Sequence, residues 1–86
     1  NTAIGYESML SNTTGSVNTA VGAYSLDANT TADNNVAVGF AALGVNTVGG
    51  NNTAVGTYAL DANTTASNNT GVGHQALTET PMPIIT

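Results

Sequence analysis

A five-residue unit recurs along this chain at a constant interval. One copy is Asn18-Thr19-Ala20-Val21-Gly22, and the glycine of each copy lies 17 residues after the glycine of the copy before it. A fixed short period of this kind indicates a solenoid, in which each repeat forms one coil that stacks on the next. The interval therefore constrains the fold before any single residue is considered. The five glycines are Gly5, Gly22, Gly39, Gly56 and Gly73.

Each coil is predicted to contain short strands separated by turns. Alternation puts Thr19 and Val21 on one face of a strand and Ala20 on the other. A second short strand is predicted at Tyr24–Leu26, and the Asn- and Asp-rich remainder of the coil is typical of turns. β-branched residues and a glycine in every coil oppose a helix. We predict an all-β parallel β-solenoid (β-roll or β-helix) of five 17-residue coils over residues 1–77, with an extended tail or connector over 78–86.

Stacking places equivalent residues of successive coils about 4.8 Å apart, so that each position of the repeat forms a column. We predict that two apolar columns form the core, while small residues such as Ala20 and Ser25 fill other columns and form a flat face for close packing. The predicted core columns are Ile4, Val21, Val38, Val55 and Val72, and Met9, Leu26, Leu43, Leu60 and Leu77.

Asparagine fills two further columns. Stacked asparagines can pass amide hydrogen bonds from coil to coil, or they can serve turn structure alone. On the turn interpretation, Asn46→Asp is expected to cost far less stability than Leu43→Asp, which would bring an unpaired charge into an apolar column. The two columns are Asn1, Asn18, Asn35, Asn52 and Asn69, and Asn12, Asn29, Asn46 and Asn63.

The charge of the chain excludes several classes of partner. It has no Lys or Arg and five acidic residues, which give a net charge of −5. Nucleic acids and anionic lipids are bound through cationic side chains, so we predict neither partner. No apolar run approaches the roughly 20 residues that span a bilayer. A core this thin, in 86 residues without cysteine, favours stabilisation by oligomerisation.

No catalytic or metal-binding constellation is apparent, so we predict neither an enzyme nor a cofactor. His74 is the only histidine, and Glu79 is the only acid near it. A tolerated surface position is the simpler interpretation of His74, and a site shared by three copies at a trimer axis is the alternative. Column serines such as Ser25 have no base beside them. Asp27 and Asp61, roughly 9.6 Å apart by strand spacing, are geometrically possible as an inverting glycosidase pair but have no predicted cleft.

Two surface features leave a carbohydrate interpretation open. Asn-X-Thr sequons can accept N-linked glycans, although turn structure also explains them. Aromatic residues just after the glycines can pack on strands or offer a platform for sugar rings. The sequons begin at Asn12, Asn29, Asn51, Asn63 and Asn68, and the aromatic residues are Tyr6, Tyr24, Phe40 and Tyr58.

The repeated unit also carries a family resemblance. Asn35-Val36-Ala37-Val38-Gly39, within the pattern Asn-Thr-Ala-Val-Gly-x-x-Ala-Leu, resembles the head repeats of the YadA-like trimeric autotransporter adhesins. It is similar as well to repeat arrays of bacterial and phage tail-fibre proteins, and the similarity covers residues 1–77. The resemblance implies a left-handed parallel β-roll, packing of three rolls about one axis, and an extracellular, cell-surface or virion-surface location.

We therefore predict a structural repeat segment of an extracellular fibre or filament. Self-association is expected as a homotrimer, as a head-to-tail filament, or as both. The alternative is an adhesin or tail-fibre module that recognises glycan or another host surface. Met82, Ile84 and Ile85, in the proline-containing tail, are predicted to act in assembly. Because the first residue is Asn rather than Met, the chain is expected to be a mature product or a piece of a longer protein.

Overall fold

The computed structural model describes residues 1–78. They form one parallel sheet of five strands in chain order, and each strand residue pairs with the residue 17 positions further along. The parallel β-solenoid predicted from the 17-residue interval is confirmed. The strands are β1 (Thr2–Ile4), β2 (Thr19–Val21), β3 (Val36–Val38), β4 (Thr53–Val55) and β5 (Thr70–Val72).

The predicted assembly residues Met82, Ile84 and Ile85 lie outside the described residues. Across residues 1–78, no helix is long and apolar enough to cross a membrane.

The leucine column forms the centre of each coil, as predicted. Leu26, Leu43 and Leu60 are fully buried, Met9 is nearly so, and Leu77 packs against this cluster from the last coil. Burying a side chain of this size stabilises a fold by about 1.5–3 kcal/mol. Each inner coil therefore contributes one large apolar side chain to a core that is one residue wide.

The column before the glycines does not belong to the core, and this part of the core prediction is wrong. Ile4 and Val72 are 60% and 66% exposed, and Val55 is 37% exposed. Val21 and Val38 are half-buried. Since neighbouring strand residues point to opposite faces, the valines face outward wherever the preceding alanines face inward.

Alanine takes the inward position because the coil is narrow. Ala20, Ala37 and Ala54 are fully buried in the same cluster as the leucines. At Gly71, the equivalent position in the last coil, an added Cβ would lie 3.2 Å from Leu60 Cγ, which is already tight for a methyl group. The small side chains thus line the interior, and they do not form the flat outer face that the sequence suggested. The column of Ser25, Ala42 and Ala59 is fully buried as well.

No second strand forms at Tyr24–Leu26. Tyr24 and Leu26 adopt φ angles of 62° and 50°, in the left-handed region, so the backbone turns where an extended strand was expected. The N–H of Asn29 donates to the carbonyl of Leu26 at 3.1 Å within the coil. The N–H of Leu26 donates at 3.1 Å to the carbonyl of Ala42 in the next coil. The turns therefore contribute to stacking without forming a ladder of strands.

One turn column provides a test of backbone strain. Val17, Asn34, Asn51 and Asn68 share it with φ angles of 58°, 64°, 61° and 66°. Asparagine tolerates this region, whereas a β-branched residue is penalised there. Val17 is 70% exposed, so little packing is lost when it is replaced. We expect Val17→Asn to raise the free energy of unfolding by about 1 kcal/mol, measured by chemical denaturation.

The reverse change is the control. Asn51→Val, at the same position of a later coil, is expected to lower the free energy of unfolding by a similar amount. A Val17→Asn protein no more stable than the parent would show that this column carries no strain.

Candidate functional site

One asparagine stands directly before each strand, and we call this column the strand-entry ladder; all of its members except Asn1 are buried. The N–H of Asn35 donates to Oδ1 of Asn18 in the preceding coil at 2.9 Å. Its Nδ2 donates to the carbonyl of Gly49 at 2.9 Å. The Asn35 side chain thus joins the turn that closes its own coil to the next coil, because its Oδ1 accepts from the N–H of Asn52 at 2.9 Å. The ladder consists of Asn1, Asn18, Asn35, Asn52 and Asn69, and the backbone bond recurs at 2.9 Å in every step.

A second ladder, the turn ladder, consists of Asn12, Asn29, Asn46 and Asn63. Asn46 Nδ2 donates to Oδ1 of Asn29 at 3.0 Å and to the carbonyl of Gly49 at 2.9 Å. Its own Oδ1 accepts from Nδ2 of Asn63 at 2.9 Å. The amides therefore bond from coil to coil and also fix their own turn, so both interpretations of the column hold. Because the Asn46 side chain is fully buried, we expect its substitution to cost more stability than a surface turn position would.

The outer side of the sheet presents two columns of β-branched residues, which we call the β-face. The middle residue of β2, β3 and β4 is buried, while the residues on either side of it are half-buried or exposed. No charged side chain belongs to either column. Adjacent exposed apolar side chains mark contact surfaces more often than isolated ones do. The columns are Thr2, Thr19, Val36, Thr53 and Thr70, and Ile4, Val21, Val38, Val55 and Val72.

Next to the β-face lies the aromatic ladder, formed by Tyr6, Tyr24, Phe40 and Tyr58. Successive ring centroids are 5.6, 5.5 and 5.5 Å apart, and the planes cross at 84°, 80° and 75°. Such edge-to-face pairs stabilise by about 0.5–1.5 kcal/mol each beyond their buried area. Tyr6 remains 67% exposed and Phe40 41%. The rings therefore pack on one another, and they still form a continuous outer surface across four coils.

Glu7 gives one end of the aromatic ladder a negative charge. The pKa of the Tyr6 phenol is raised above its ordinary value, chiefly by a hydrogen bond to the Glu7 carboxylate and secondly by the negative charge of that carboxylate. The pKa of the Asp27 carboxyl is also raised, chiefly by loss of hydration on burial and secondly by repulsion from the charge of Glu7. Because the folded-state pKa of Asp27 lies above its unfolded value, its ionisation disfavours the fold as the pH rises through the acid range.

Within residues 1–78, the structure does not bring together the catalytic groups weighed from the sequence. Residues 1–78 contain no cluster of three or more His, Cys, Asp or Glu side chains that could hold a metal ion, and they enclose no pocket. His74 is exposed on the last coil, and Glu79 lies outside the described residues. Asp27 and Asp61 occupy the same column two coils apart, and both are half-buried.

Burial divides the five sequons into two groups. Asn29 and Asn63 are fully buried in the turn ladder, and Asn12 donates its Nδ2 to the carbonyl of Gly15 at 3.1 Å. A glycan attached to these side chains before folding would prevent the ladder from forming. Asn51 and Asn68 are exposed in the left-handed turn column.

We expect a eukaryotic secretory host to attach glycans to Asn51 and Asn68 and to leave Asn29 and Asn63 of the folded protein unmodified. The chain has no Lys or Arg, so it is digested with a protease other than trypsin. Mass spectrometry of the peptides, before and after enzymatic removal of N-linked glycans, measures the occupancy of each site. Folded protein with a glycan on Asn63 would contradict the turn ladder.

None of the three comparisons with known proteins, against family models, curated proteins and solved structures, finds a match. The β-face and the aromatic ladder are the two outer features that the stacking of the coils makes continuous.

Proposed function

We propose that the chain is a rigid structural repeat segment of an extracellular fibre or filament, built by coil stacking and self-association. The observation that supports it most is the unbroken 17-residue register, in which buried side-chain amides as well as backbone groups bond from coil to coil. Bonds of both kinds resist rotation or slippage of one coil on the next. Since each coil contacts only its neighbours, the same construction extends to any length.

Self-association is proposed to use the β-face. Its apolar side chains are exposed or half-buried, and the core behind them is one leucine wide. Contact with a second copy would therefore add the burial that a small fold lacks. Two copies of net charge −5 can meet here without bringing acids together, because the two outward columns contain none. The described acidic residues occupy other columns: Glu7, Asp27, Asp33 and Asp61.

A homotrimer about one axis and a head-to-tail filament are both compatible with this surface. β1 and β5 are the edge strands of the sheet in the described residues. An edge strand can accept a further strand through its backbone, so added coils of the same register would continue the stack. The cell-surface or virion-surface location is part of the proposal and rests on the resemblance of the repeat.

The proposal is tested by placing one charge on the β-face. Val55→Asp, on the outer side of β4, is expected to shift the protein from trimer towards monomer, because a charge would be desolvated at the contact. Sedimentation velocity across a range of protein concentrations measures the shift.

Val48→Asp is the matched control, since Val48 is 53% exposed in a turn column away from the β-face. It should leave the sedimentation coefficient unchanged. If the parent protein sediments as a folded monomer at every concentration, self-association through the β-face is wrong.

A further inference from the structure

The aromatic ladder repeats every second coil. Tyr6 and Phe40 directly follow their glycines, whereas Tyr24 and Tyr58 lie one position later. Because the rings alternate between these two positions, equivalent rings recur every two coils, and consecutive rings are nearly perpendicular. Two coils correspond to a distance of about 9.6 Å, twice the spacing between strands. His74 occupies the same position as Tyr6 and Phe40, two coils after Phe40, and it also carries a planar ring.

The more exposed rings are those that directly follow a glycine. Tyr6 is 67% exposed and Phe40 41%, whereas Tyr58 is 36% exposed and Tyr24 is half-buried. The first pair is therefore the more accessible to a ligand, while Tyr24 and Tyr58 support it edge-on and bring phenol hydroxyls that can donate or accept hydrogen bonds.

The surroundings of the ladder favour a neutral ligand. The chain has no cationic side chain to attract an anionic polymer, and Glu7 stands beside Tyr6. Two copies meeting along the ladder in the same orientation would bring their Glu7 carboxylates near one another, and the Asp27 carboxylate of each copy lies close enough to Glu7 to be repelled by it. This repulsion argues against a second copy as the occupant.

We propose that the aromatic ladder binds a neutral, linear β-linked hexose polymer of the cellulose or chitin type, which lies along the solenoid axis. In such a polymer alternate sugars are turned over, so every second sugar presents the same apolar C–H face. That disaccharide repeat has the same length scale as the two-coil spacing of the exposed rings, about 9.6 Å. One sugar can then stack on Tyr6 and the next equivalent sugar on Phe40.

Glycan binding at the ladder does not require association through the β-face, so each can fail without the other. Calorimetric titration of the whole chain with cellohexaose and chitohexaose measures binding, and dextran, whose α-linkages do not give this repeat, is the ligand control. We expect at least one β-linked hexamer to bind and dextran not to bind.

Phe40→Ala is expected to weaken binding by about tenfold, the loss of one stacked ring. Phe40→Tyr keeps the ring and should retain the affinity. Val48→Ala, another exposed apolar residue outside the ladder, should not alter it. The circular dichroism spectrum and the oligomeric state are compared for all three variants.

Three results would overturn the proposal. One is an absence of binding to both β-linked hexamers, and another is equal affinity for dextran. The third is a Phe40→Ala protein with unchanged affinity for the hexamers but a changed oligomeric state, which would make the ladder a contact between copies.

Discussion

Asn46→Asp is expected to destabilise the solenoid by about 3–5 kcal/mol, the range for leaving an uncompensated charge inside a protein. The substitution removes both donors of Nδ2, which bond Oδ1 of Asn29 and the carbonyl of Gly49, and brings a carboxylate towards those two acceptors. For a domain of this size the melting temperature should fall by about 12 °C or more. Leu43→Asp, at the fully buried leucine column, is expected to be of comparable severity.

Asn51→Asp is the matched control for this prediction. Asn51 is exposed and left-handed, a conformation that aspartate also tolerates, so the same substitution should shift the melting temperature little. Equal melting temperatures for the two variants would contradict the buried turn ladder.

The cost of Asn46→Asp should also depend on pH. Burial raises the pKa of the introduced carboxyl above its unfolded value, so its ionisation opposes folding. The stability deficit relative to the parent should therefore be smallest below the unfolded pKa and should grow as the pH rises towards neutrality. Thermal melts at several pH values measure this trend, and a deficit that shrinks with rising pH would contradict it.

Gly39→Ala is expected to unfold the middle of the stack. Gly39 has a φ of 130°, a conformation that costs other residues about 1–3 kcal/mol. An added Cβ would also lie 2.6 Å from the carbonyl carbon and oxygen of Gly56 in the next coil, and overpacking of this kind adds about 1–3 kcal/mol. Chemical denaturation measures the sum of the two effects.

Gly73→Ala separates the two contributions. Its φ is 129°, nearly the same as that of Gly39, but the nearest atom to an added Cβ is the Ala76 Cβ at 3.9 Å. It should therefore show only the conformational cost. If Gly39→Ala proves no worse than Gly73→Ala, close approach of the coils is not what requires glycine in this column.

The 17-residue interval was enough to predict the stack of coils. When every coil has the same length, equivalent residues of successive coils lie side by side, and this is parallel pairing in register. The leucine column was equally accessible, since leucine recurs there without a polar alternative. The valine column was assigned to the wrong side because hydrophobicity was weighed above alternation. Thr19 shares a strand face with Val21, and a threonine column on that face was the signal that it points outward.

Other features depend on backbone angles that residue type does not reveal. Left-handed φ is expected of asparagine, but Tyr24 and Leu26 adopt it too, and this removes the predicted second strand. The aromatic ladder was hidden for a related reason. Its rings alternate between two positions of the repeat, so neither column alone reads as aromatic, and only folding brings Tyr24 and Phe40 into contact.

Hydrogen exchange of asparagine side-chain amides, followed by NMR, tests the central claim that amide ladders inside the coils lock the stack. The Nδ2 protons of Asn29, Asn46 and Asn63 donate within the turn ladder, whereas Asn51 and Asn68 are exposed. We predict strong protection of the first three amides and free exchange of the last two. Exchange of the Asn46 amide as fast as that of Asn51 would contradict the account.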